Sequence, residues 1–172
     1  IEDMTGDGRP DLLVSGRGEA ADVWVNDGTG SFSPMGQSLP EAPNVTAGDI
    51  DLDGYMDAMF GGHILTNDGS GTLVATDVIP GARDVVPGDF NGDGLPDLYA
   101  AKAPAVPNEM WLNDGAGGFV ESGLVMAENS SHEVALADFD GDGALDALVS
   151  NSSADFVWFN GHAPLVATPI PD

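Results

Sequence analysis

Apolar residues along this chain fall into short runs that are separated by glycine, asparagine, aspartate and proline. Examples of such runs are Leu12–Val14, Ala58–Phe60, Leu98–Ala100 and Ala147–Val149. Short apolar runs between turn-forming residues are typical of β-strands. No long stretch of the sequence carries apolar residues at the spacing of an amphipathic helix. The pattern therefore predicts an all-β protein with short strands and tight turns.

A nine-residue acidic window of the form D-x-[DNT]-x-D-G-x-x-D occurs four times. The windows begin at Asp3, Asp49, Asp89 and Asp138, so their starts are 46, 40 and 49 residues apart. An apolar run follows each window, and a second signature of the form W/L-x-N-D-G follows each run. In the last repeat, Trp158–Gly161, this second signature lacks its aspartate. Self-similarity at this period indicates structural repeats of roughly 45 residues.

Each repeat is predicted to hold four strands. The first strand leads into the acidic window, the second leaves it, the third carries the W-x-N-D-G signature, and the fourth follows a glycine turn. Repeats of this kind are typical of propeller blades. We therefore predict an all-β fold, a β-propeller-like array of four four-stranded antiparallel blades in a single repeat domain, 1–172. The blades are expected at about residues 1–40, 41–80, 81–128 and 129–172.

The first repeat lacks most of the segment that precedes the other three windows. We therefore expect the array to be a small ring, part of a larger ring, or an open assembly that another copy closes. The chain begins with Ile1, and no signal-like apolar segment precedes it, so we expect a processed product or a fragment.

The charge balance narrows the function classes. The chain has 29 acidic and 4 basic residues and a formal net charge of −25, so it cannot build the basic surface that binds nucleic acid. The same balance argues against docking on anionic lipid. No apolar run approaches the ~20 residues of a membrane span, so no direct membrane insertion is expected. Cysteine is absent, which excludes disulfides and thiol catalysis.

The acidic windows place three or four carboxylates within nine residues, where they repel one another unless a cation lies among them. The ligand atoms on offer are hard oxygens from carboxylates, the Asn91 amide, the Thr5 hydroxyl and a backbone carbonyl. No histidine lies inside a window, and a flexible loop of oxygen ligands favours Ca²⁺ over Mg²⁺ or a transition metal. The sequence therefore predicts up to four Ca²⁺ sites.

The first half of each window matches an EF-hand loop, but the second half does not. An EF-hand needs glutamate at its twelfth position, which here is occupied by Val14, Phe60, Ala100 and Val149. The closing acid is instead an aspartate at position nine, and the predicted flanks are strands. An EF-hand or dockerin-type interpretation is therefore rejected.

The windows, the W-x-N-D-G turn and the closing G-x-F resemble the FG-GAP or VCBS repeat. This repeat is the calcium-binding blade of integrin α-subunit propellers and of many secreted bacterial proteins, and the resemblance covers nearly the whole chain. It implies that Ca²⁺ is bound by the side chains at positions one, three, five and nine and by the carbonyl at position seven. The ligands implied in this sequence are Asp3, Thr5, Asp7, Arg9 and Asp11; Asp49, Asp51, Asp53, Tyr55 and Asp57; Asp89, Asn91, Asp93, Leu95 and Asp97; and Asp138, Asp140, Asp142, Ala144 and Asp146. The chain departs from the family pattern at Thr5, a weaker ligand, and at Leu52, where the other copies have glycine.

The resemblance implies a non-catalytic, secreted or cell-surface calcium-binding module for adhesion, ligand binding or surface assembly. Its expected partner is a protein or carbohydrate ligand, and Ca²⁺ is expected to stabilise the blade loops. Two alternatives are an accessory domain of a secreted hydrolase or lyase, and a structural subunit that polymerises through open blade edges. No enzymatic activity is expected, because the three histidines are not at equivalent positions and no catalytic motif accompanies them.

Two sets of aromatic and apolar residues recur at equivalent repeat positions. Trp24, Trp111 and Trp158 are expected to pack between blades, with a carbohydrate-stacking platform as the alternative. Met4, Ile50, Phe90 and Phe139, at position two of the windows, are expected to hold each loop to the core.

Overall fold

The computed structural model describes residues 1–16, 20–103, 106–124, 126 and 130–161, and the backbone of 166–169. These residues form fifteen β-strands and the turns between them, with no helix among them. The first seven strands are β1 Leu12–Val14, β2 Asp22–Asn26, β3 Phe32–Pro34, β4 Val45–Gly48, β5 Asp57–Phe60, β6 His63–Asn67 and β7 Leu73–Val78. The others are β8 Ala82–Gly88, β9 Asp97–Lys102, β10 Glu109–Asn113, β11 Phe119–Glu121, β12 Ser131–Ala137, β13 Asp146–Asn151, β14 Phe156–Phe159 and β15 Val166–Pro169.

The strands form four antiparallel sheets in chain order, which confirms the predicted all-β, propeller-like class. Sheet 1 contains β1–β3, sheet 2 β4–β7, sheet 3 β8–β11 and sheet 4 β12–β15. Each sheet is a meander, because strands that follow one another in the chain lie side by side and pair antiparallel. Sheet 1 has three strands in the described part of the chain, where Glu2 and Asp11 form one isolated bridge. No described segment of the chain is a helix with the length and apolar character of a membrane span.

The chain divides into two compact units, Ile1–Pro80 and Gly81–Asp172. In the first unit, the core contains Val23 of sheet 1 together with Ala58, Phe60 and Leu65 of sheet 2. In the second unit, it contains Tyr99 and Met110 of sheet 3 together with Ala147 and Val149 of sheet 4. Each unit therefore packs two successive sheets against each other, and burial of these apolar side chains stabilises the pair.

Three of the four apolar residues at position two of the windows are buried as expected, and one is not. Met4, Ile50 and Phe90 are buried, but Phe139 is 46% exposed, so the core assignment was wrong for that residue. Phe90 belongs to the core that sheets 3 and 4 share. No described element of the second unit covers Phe139 in the same way.

The tryptophans also differ from one another. Trp158 packs against the core of the second unit, whereas Trp24 is 37% exposed. The core assignment was therefore wrong for Trp24. Trp24 and Trp158 point to the equivalent face of their sheets, but only in sheet 4 does a neighbouring sheet of the same unit pack on that face. In sheet 1 the neighbour Val23 points into the core, and Trp24 points to the opposite face of the sheet. Trp111 is half-buried, and its indole N–H donates to Glu109 Oε2 at 3.1 Å.

Candidate functional site

The acidic windows form the loops that enter the second strand of sheets 2, 3 and 4, and the equivalent strand β1 of sheet 1. We call them acidic loops 1 to 4. In each loop the first aspartate accepts a hydrogen bond from the N–H of the glycine at position six, at 2.8–3.1 Å. The fifth-position aspartate accepts from the N–H of residue seven at 2.8–2.9 Å. These bonds curl the backbone around the carboxylates at positions one and five.

The fourth position of each loop has a positive φ. Glycine provides this conformation in loops 1, 3 and 4, with φ of 68°, 77° and 82°. In loop 2 the residue is Leu52, whose φ is 61°. A leucine in the left-handed region carries strain of about 1–2 kcal/mol. The departure noted in the sequence is thus a strained position, and loop 2 keeps the common shape despite it.

The ninth-position aspartates Asp11, Asp57, Asp97 and Asp146 are completely buried. In every loop, Oδ2 of this residue accepts from the N–H of position two at 2.8–3.1 Å. Oδ1 accepts from the N–H of the turn asparagine at 2.8–2.9 Å; this asparagine ends β2, β6 and β10 and directly follows β14. This carboxylate therefore joins the start of its loop to the Asn-Asp-Gly turn of the same sheet.

The asparagine at that turn adds a second connection, which runs between sheets. In the first unit, Asn67 Nδ2 donates to the carbonyl of Met56 in its own sheet at 2.9 Å and to the carbonyl of Met4 in loop 1 at 2.8 Å. In the second unit, Asn160 Nδ2 donates to the carbonyl of Phe90 in loop 3 at 2.7 Å. Sequence reasoning did not assign this role, although the fixed pairing of a window with a later asparagine in all four repeats was the available signal.

Loop 2 has the strongest features of a cation site. Carboxylate oxygens of Asp49, Asp51 and Asp53 lie within 4.8 Å of one another. Asp49 Oδ1 is buried and makes no hydrogen bond within the described part of the chain. A buried, unpartnered carboxylate oxygen carries a large desolvation penalty unless a cation binds it.

Electrostatics in loop 2 point the same way. The pKa of Asp57 is raised to about 6, chiefly by burial and in smaller part by the negative charges of Asp51 and Asp53, while two backbone hydrogen bonds oppose the rise. The negative charge of this loop is therefore not compensated by the protein itself. A hard dication such as Ca²⁺ fits the donor set, which consists of convergent carboxylate oxygens on a flexible loop.

The other three loops differ in detail. In loop 4, carboxylate oxygens of Asp138, Asp140 and Asp146 also lie within 4.8 Å of one another. In loop 3, the Asn91 amide bonds to Asp93 in both directions, at 2.8 Å and 2.9 Å.

In loop 1, side chains of the loop itself contact two of the carboxylates. The Thr5 hydroxyl donates to Asp11 at 3.1 Å, and the Arg9 guanidinium pairs with Asp7. The cation on Arg9 partly neutralises the carboxylate that would face an ion. The ligand assignments in all four loops stay predictions.

A cavity of about 310 Å³ lies in the first unit beside loops 1 and 2. Glu2, Asp3 and Gly6 line one side, and Gly54, Tyr55 and Met56 line the other. The Tyr55 side chain is 40% exposed and lies over the backbone of Gly6 and Gly69. An exposed aromatic ring beside two carboxylates offers both an apolar face and hydrogen-bond acceptors to a small polar molecule. Sequence reasoning placed only Asp3 and the Tyr55 carbonyl in this region.

His132 Nδ1 lies 2.7 Å from Arg83 Nη1, and His132 Nε2 lies 2.8 Å from Ser152 Oγ. These contacts link β8 and β12 to the segment that follows β13 in the second unit. His162 lies outside the described residues.

Comparison with known proteins identifies the repeat. A family profile for the FG-GAP-like repeat matches residues 3–60 and 89–149, together more than half of the chain. No curated protein matches the chain in sequence. Among solved structures, the fold is similar to that of a lectin from Agrocybe aegerita that specifically recognises non-reducing terminal N-acetylglucosamine.

The TM-score of that match is 0.58 at 20% identity, and it covers 96% of this chain and 50% of the lectin. This chain therefore spans about half the length of that structure, and the likeness concerns the fold alone. The first profile match runs from the start of loop 1 to the end of β5, which follows loop 2. The second runs from the start of loop 3 into β13, which follows loop 4. On this basis, the chain belongs to the FG-GAP-like repeat family.

Proposed function

We propose that this protein is a non-catalytic extracellular module in which Ca²⁺ stabilises the acidic loops and a carbohydrate binds in the cavity between loops 1 and 2. The observation that carries the calcium part is the buried, unpartnered Asp49 Oδ1 beside the convergent Asp51 and Asp53. The net charge of −25 adds to it, because each Ca²⁺ relieves part of the self-repulsion.

The role of the metal in this proposal is structural. Extracellular calcium modules bind with Kd values of ~10⁻⁴–10⁻³ M. At millimolar Ca²⁺, one such site contributes about 0.4–1.4 kcal/mol by mass action. Several sites together contribute a sizeable part of the ~5–15 kcal/mol that stabilises a typical domain. Occupancy in such a medium is nearly constant, which suits a stabilising role better than signalling.

Calorimetric titration with Ca²⁺ tests the metal part. The wild-type protein is expected to bind up to four ions, and Asp49→Asn is expected to remove one of them. Asp49→Asn should also lower Tm in Ca²⁺ and leave Tm unchanged in EDTA. Asp77→Asn is the matched control, because it removes one exposed carboxylate of the same sheet outside the loop. A wild-type protein that binds no Ca²⁺ and melts identically in Ca²⁺ and EDTA would contradict the proposal.

The ligand part rests on the cavity beside Tyr55. Sugars present apolar C–H faces and hydroxyl groups, which the exposed ring and the carboxylates of Glu2 and Asp3 match. The similarity in fold to a lectin supports this ligand class.

A glycan array in the presence of Ca²⁺ tests the ligand part, followed by titration with any sugar that binds. Tyr55→Ala is expected to weaken binding by about tenfold, equivalent to ~1.4 kcal/mol. Calcium stoichiometry should not change, because only the Tyr55 backbone carbonyl is assigned to the metal. Leu95→Ala, at the same position of loop 3, is the control and should keep full affinity. An array without signal above background overturns the carbohydrate assignment and leaves the calcium test unaffected.

A further inference from the structure

Position three of the acidic loops carries a hydroxyl, an amide or a carboxylate. The residue is Thr5 in loop 1, Asp51 in loop 2, Asn91 in loop 3 and Asp140 in loop 4. Loops 3 and 4 are otherwise identical over their first six residues. Within these six residues, loop 3 therefore differs from loop 4 only by one amide in place of one carboxylate.

Asn91 is followed directly by a glycine. Two asparagines of the chain have this neighbour, Asn91 and Asn160. In an Asn-Gly pair no side chain shields the backbone nitrogen of the glycine, so this nitrogen reaches Cγ of the asparagine more readily than in other pairs. Attack on Cγ closes a five-membered succinimide ring and releases the side-chain nitrogen as ammonia.

The surroundings of Asn91 favour this reaction. Asn91 and Gly92 are both exposed, and no atom lies within 4 Å of a Cβ added to Gly92. In the described part of the chain, the Asn91 side chain bonds to Asp93 alone, through Nδ2 at 2.8 Å and through Oδ1 at 2.9 Å. Rotation of this side chain towards the Gly92 nitrogen therefore breaks no hydrogen bond outside its own exposed loop.

A proton acceptor lies beside the attacking nitrogen. The N–H of Gly92 donates to Asp89 Oδ1 at 2.8 Å. This distance lies within the range over which a carboxylate acts as a general base. Asp89 is therefore placed to accept the proton of the Gly92 nitrogen as the new N–C bond forms.

Asn160 has different surroundings. It is half-buried, and its Nδ2 donates to the carbonyl of Phe90 in the neighbouring sheet at 2.7 Å. The N–H of Gly161 donates to Asn160 Oδ1 at 3.0 Å rather than to a carboxylate, and Asp142 packs against Gly161. Reaction at Asn160 would break the bond between sheets 3 and 4, so we expect Asn91 to react first.

We propose that Asn91 is a site of spontaneous deamidation. The Gly92 nitrogen attacks Cγ of Asn91, Asp89 accepts the proton, and the Cγ–Nδ2 bond breaks to release ammonia, which takes up that proton. Water then opens the succinimide at one of its two carbonyls. Opening at one carbonyl gives aspartate, and opening at the other gives isoaspartate, whose backbone is longer by one carbon.

The aspartate product gives loop 3 the same first six residues as loop 4. In loop 4, carboxylate oxygens of Asp138, Asp140 and Asp146 lie within 4.8 Å of one another. The charge of the ligand set tunes the affinity of such a loop for Ca²⁺. Deamidation to aspartate therefore strengthens the calcium site of loop 3, a consequence that rests on the calcium role proposed above.

Peptide mass spectrometry of wild-type protein incubated in EDTA at mildly alkaline pH tests the modification. The peptide that contains Asn91 is expected to gain the mass of an amide-to-acid conversion at least about tenfold faster than the peptide that contains Asn160, equivalent to a barrier lower by ~1.4 kcal/mol. Conversion of Asn91 that is no faster than conversion of Asn160 overturns the proposal.

Two variants separate this reaction from other causes of mass gain. Gly92→Leu introduces the residue that loop 2 carries at this position, Leu52 with φ of 61°, and should slow conversion of Asn91 to the rate of Asn160 or below. Asp89→Asn keeps an oxygen that accepts the Gly92 N–H but removes the base, and should also slow conversion. Circular dichroism verifies that both variants fold. Conversion at the wild-type rate in both variants contradicts the proposed reaction.

Calorimetric titration of Asn91→Asp with Ca²⁺ tests the consequence, because every molecule of this variant carries the aspartate product. One site should bind Ca²⁺ at least about threefold more tightly than in the wild type, since the ligand set gains a charge. Asp140→Asn is the matched variant and should weaken the site of loop 4. Equal affinities of Asn91→Asp and the wild type overturn the calcium consequence. A wild type that binds no Ca²⁺ contradicts the proposed function, whereas the mass gain at Asn91 would still support the modification.

Discussion

At the scale of single residues, the aspartate at position nine of each acidic loop differs from the aspartates at positions three and five. It is completely buried, and both of its oxygens accept backbone N–H groups. The aspartates at positions three and five are exposed wherever they occur in loops 2, 3 and 4. Position nine therefore supports the fold whether or not an ion is bound, while positions three and five face solvent or an ion.

This difference predicts that substitutions at position nine destabilise the protein even without calcium, whereas substitutions at position five do so only when calcium is present. Asp97→Ala takes the acceptor from Phe90 N–H and Asn113 N–H, and bonds to a charged group contribute about 1.5–3 kcal/mol each. We expect the free energy of unfolding to fall by roughly 3 kcal/mol in EDTA. The loss should be larger in Ca²⁺, because Asp97 is also an implied calcium ligand. Asp93→Ala, at an exposed position of the same loop, should destabilise the protein in Ca²⁺ and have little effect in EDTA. Urea unfolding in the two media measures both values, and equal losses for the two variants in EDTA would contradict the assignment.

At the scale of elements, the Asn-Asp-Gly turns hold the third and fourth strands together. The turn aspartates are exposed, and hydrogen bonds lower their pKa. For Asp68 these come from Ser70, and for Asp114 from the N–H groups of Ala116 and Gly118. The turn glycines have positive φ and also lie beside the acidic loop: beside the seventh residue in the first three repeats, and beside Asp142 at position five in the fourth. The Tyr55 ring covers Gly69, and the Arg9 side chain covers Gly28. Turn and acidic loop therefore pack as one corner of each sheet.

Gly69→Ala tests this packing. A Cβ at Gly69 would lie 2.5 Å from the Tyr55 ring, in addition to the cost of φ +85°. Gly30→Ala is the matched control, because Gly30 has φ +92° and no atom within 4 Å of a new Cβ. Both changes carry the conformational penalty of about 1 kcal/mol, and Gly69→Ala should lose roughly 1–3 kcal/mol more through overpacking. Urea unfolding measures the difference, and equal losses for the two variants would show that the ring moves aside at no cost.

At the scale of the whole molecule, each unit is a pair of sheets that an apolar core and one asparagine join. Asn67 is buried and bonds to loop 1, while Asn26 makes only the equivalent bond within its own sheet. The same arrangement recurs through Asn160 and Phe90 in the second unit. Repeats that contact their neighbours in an identical way gain stability from each interface as well as from each repeat.

The contribution of the inter-sheet bond can be measured directly. Both substitutions remove an Nδ2 bond within the sheet and Oδ1 as an acceptor of turn N–H groups. Asn67→Ala also removes the bond to the carbonyl of Met4 in the neighbouring sheet. We expect Asn67→Ala to be more destabilising by about 1–3 kcal/mol, since it leaves a buried carbonyl without its partner. Thermal unfolding of the two variants and the wild type measures this difference. A smaller effect for Asn67→Ala than for Asn26→Ala would contradict the role of the bond between sheets.

The repeat period, the strands and the acidic loops could be predicted from the sequence, because each depends on residues close together in the chain. Alternation of apolar residues determines a strand, and glycine with positive φ determines where a loop turns. The repeat also predicts that the four ninth-position aspartates are equivalent, and all four are completely buried. Their bonds to backbone N–H groups up to sixteen residues away could not be read from the spacing.

Burial on the two faces of each sheet was decided only by tertiary structure. Phe90 and Phe139 occupy the same repeat position, yet one is buried and the other exposed, because burial depends on whether another sheet packs on that face. Trp158 and Trp24 differ for the same reason. The chain sequence determines which side chains each sheet presents, since that follows from local alternation. Whether these side chains are buried depends on contacts between repeats. Residues at the same repeat position have the same local sequence pattern, so the pattern does not reveal which of them another sheet covers.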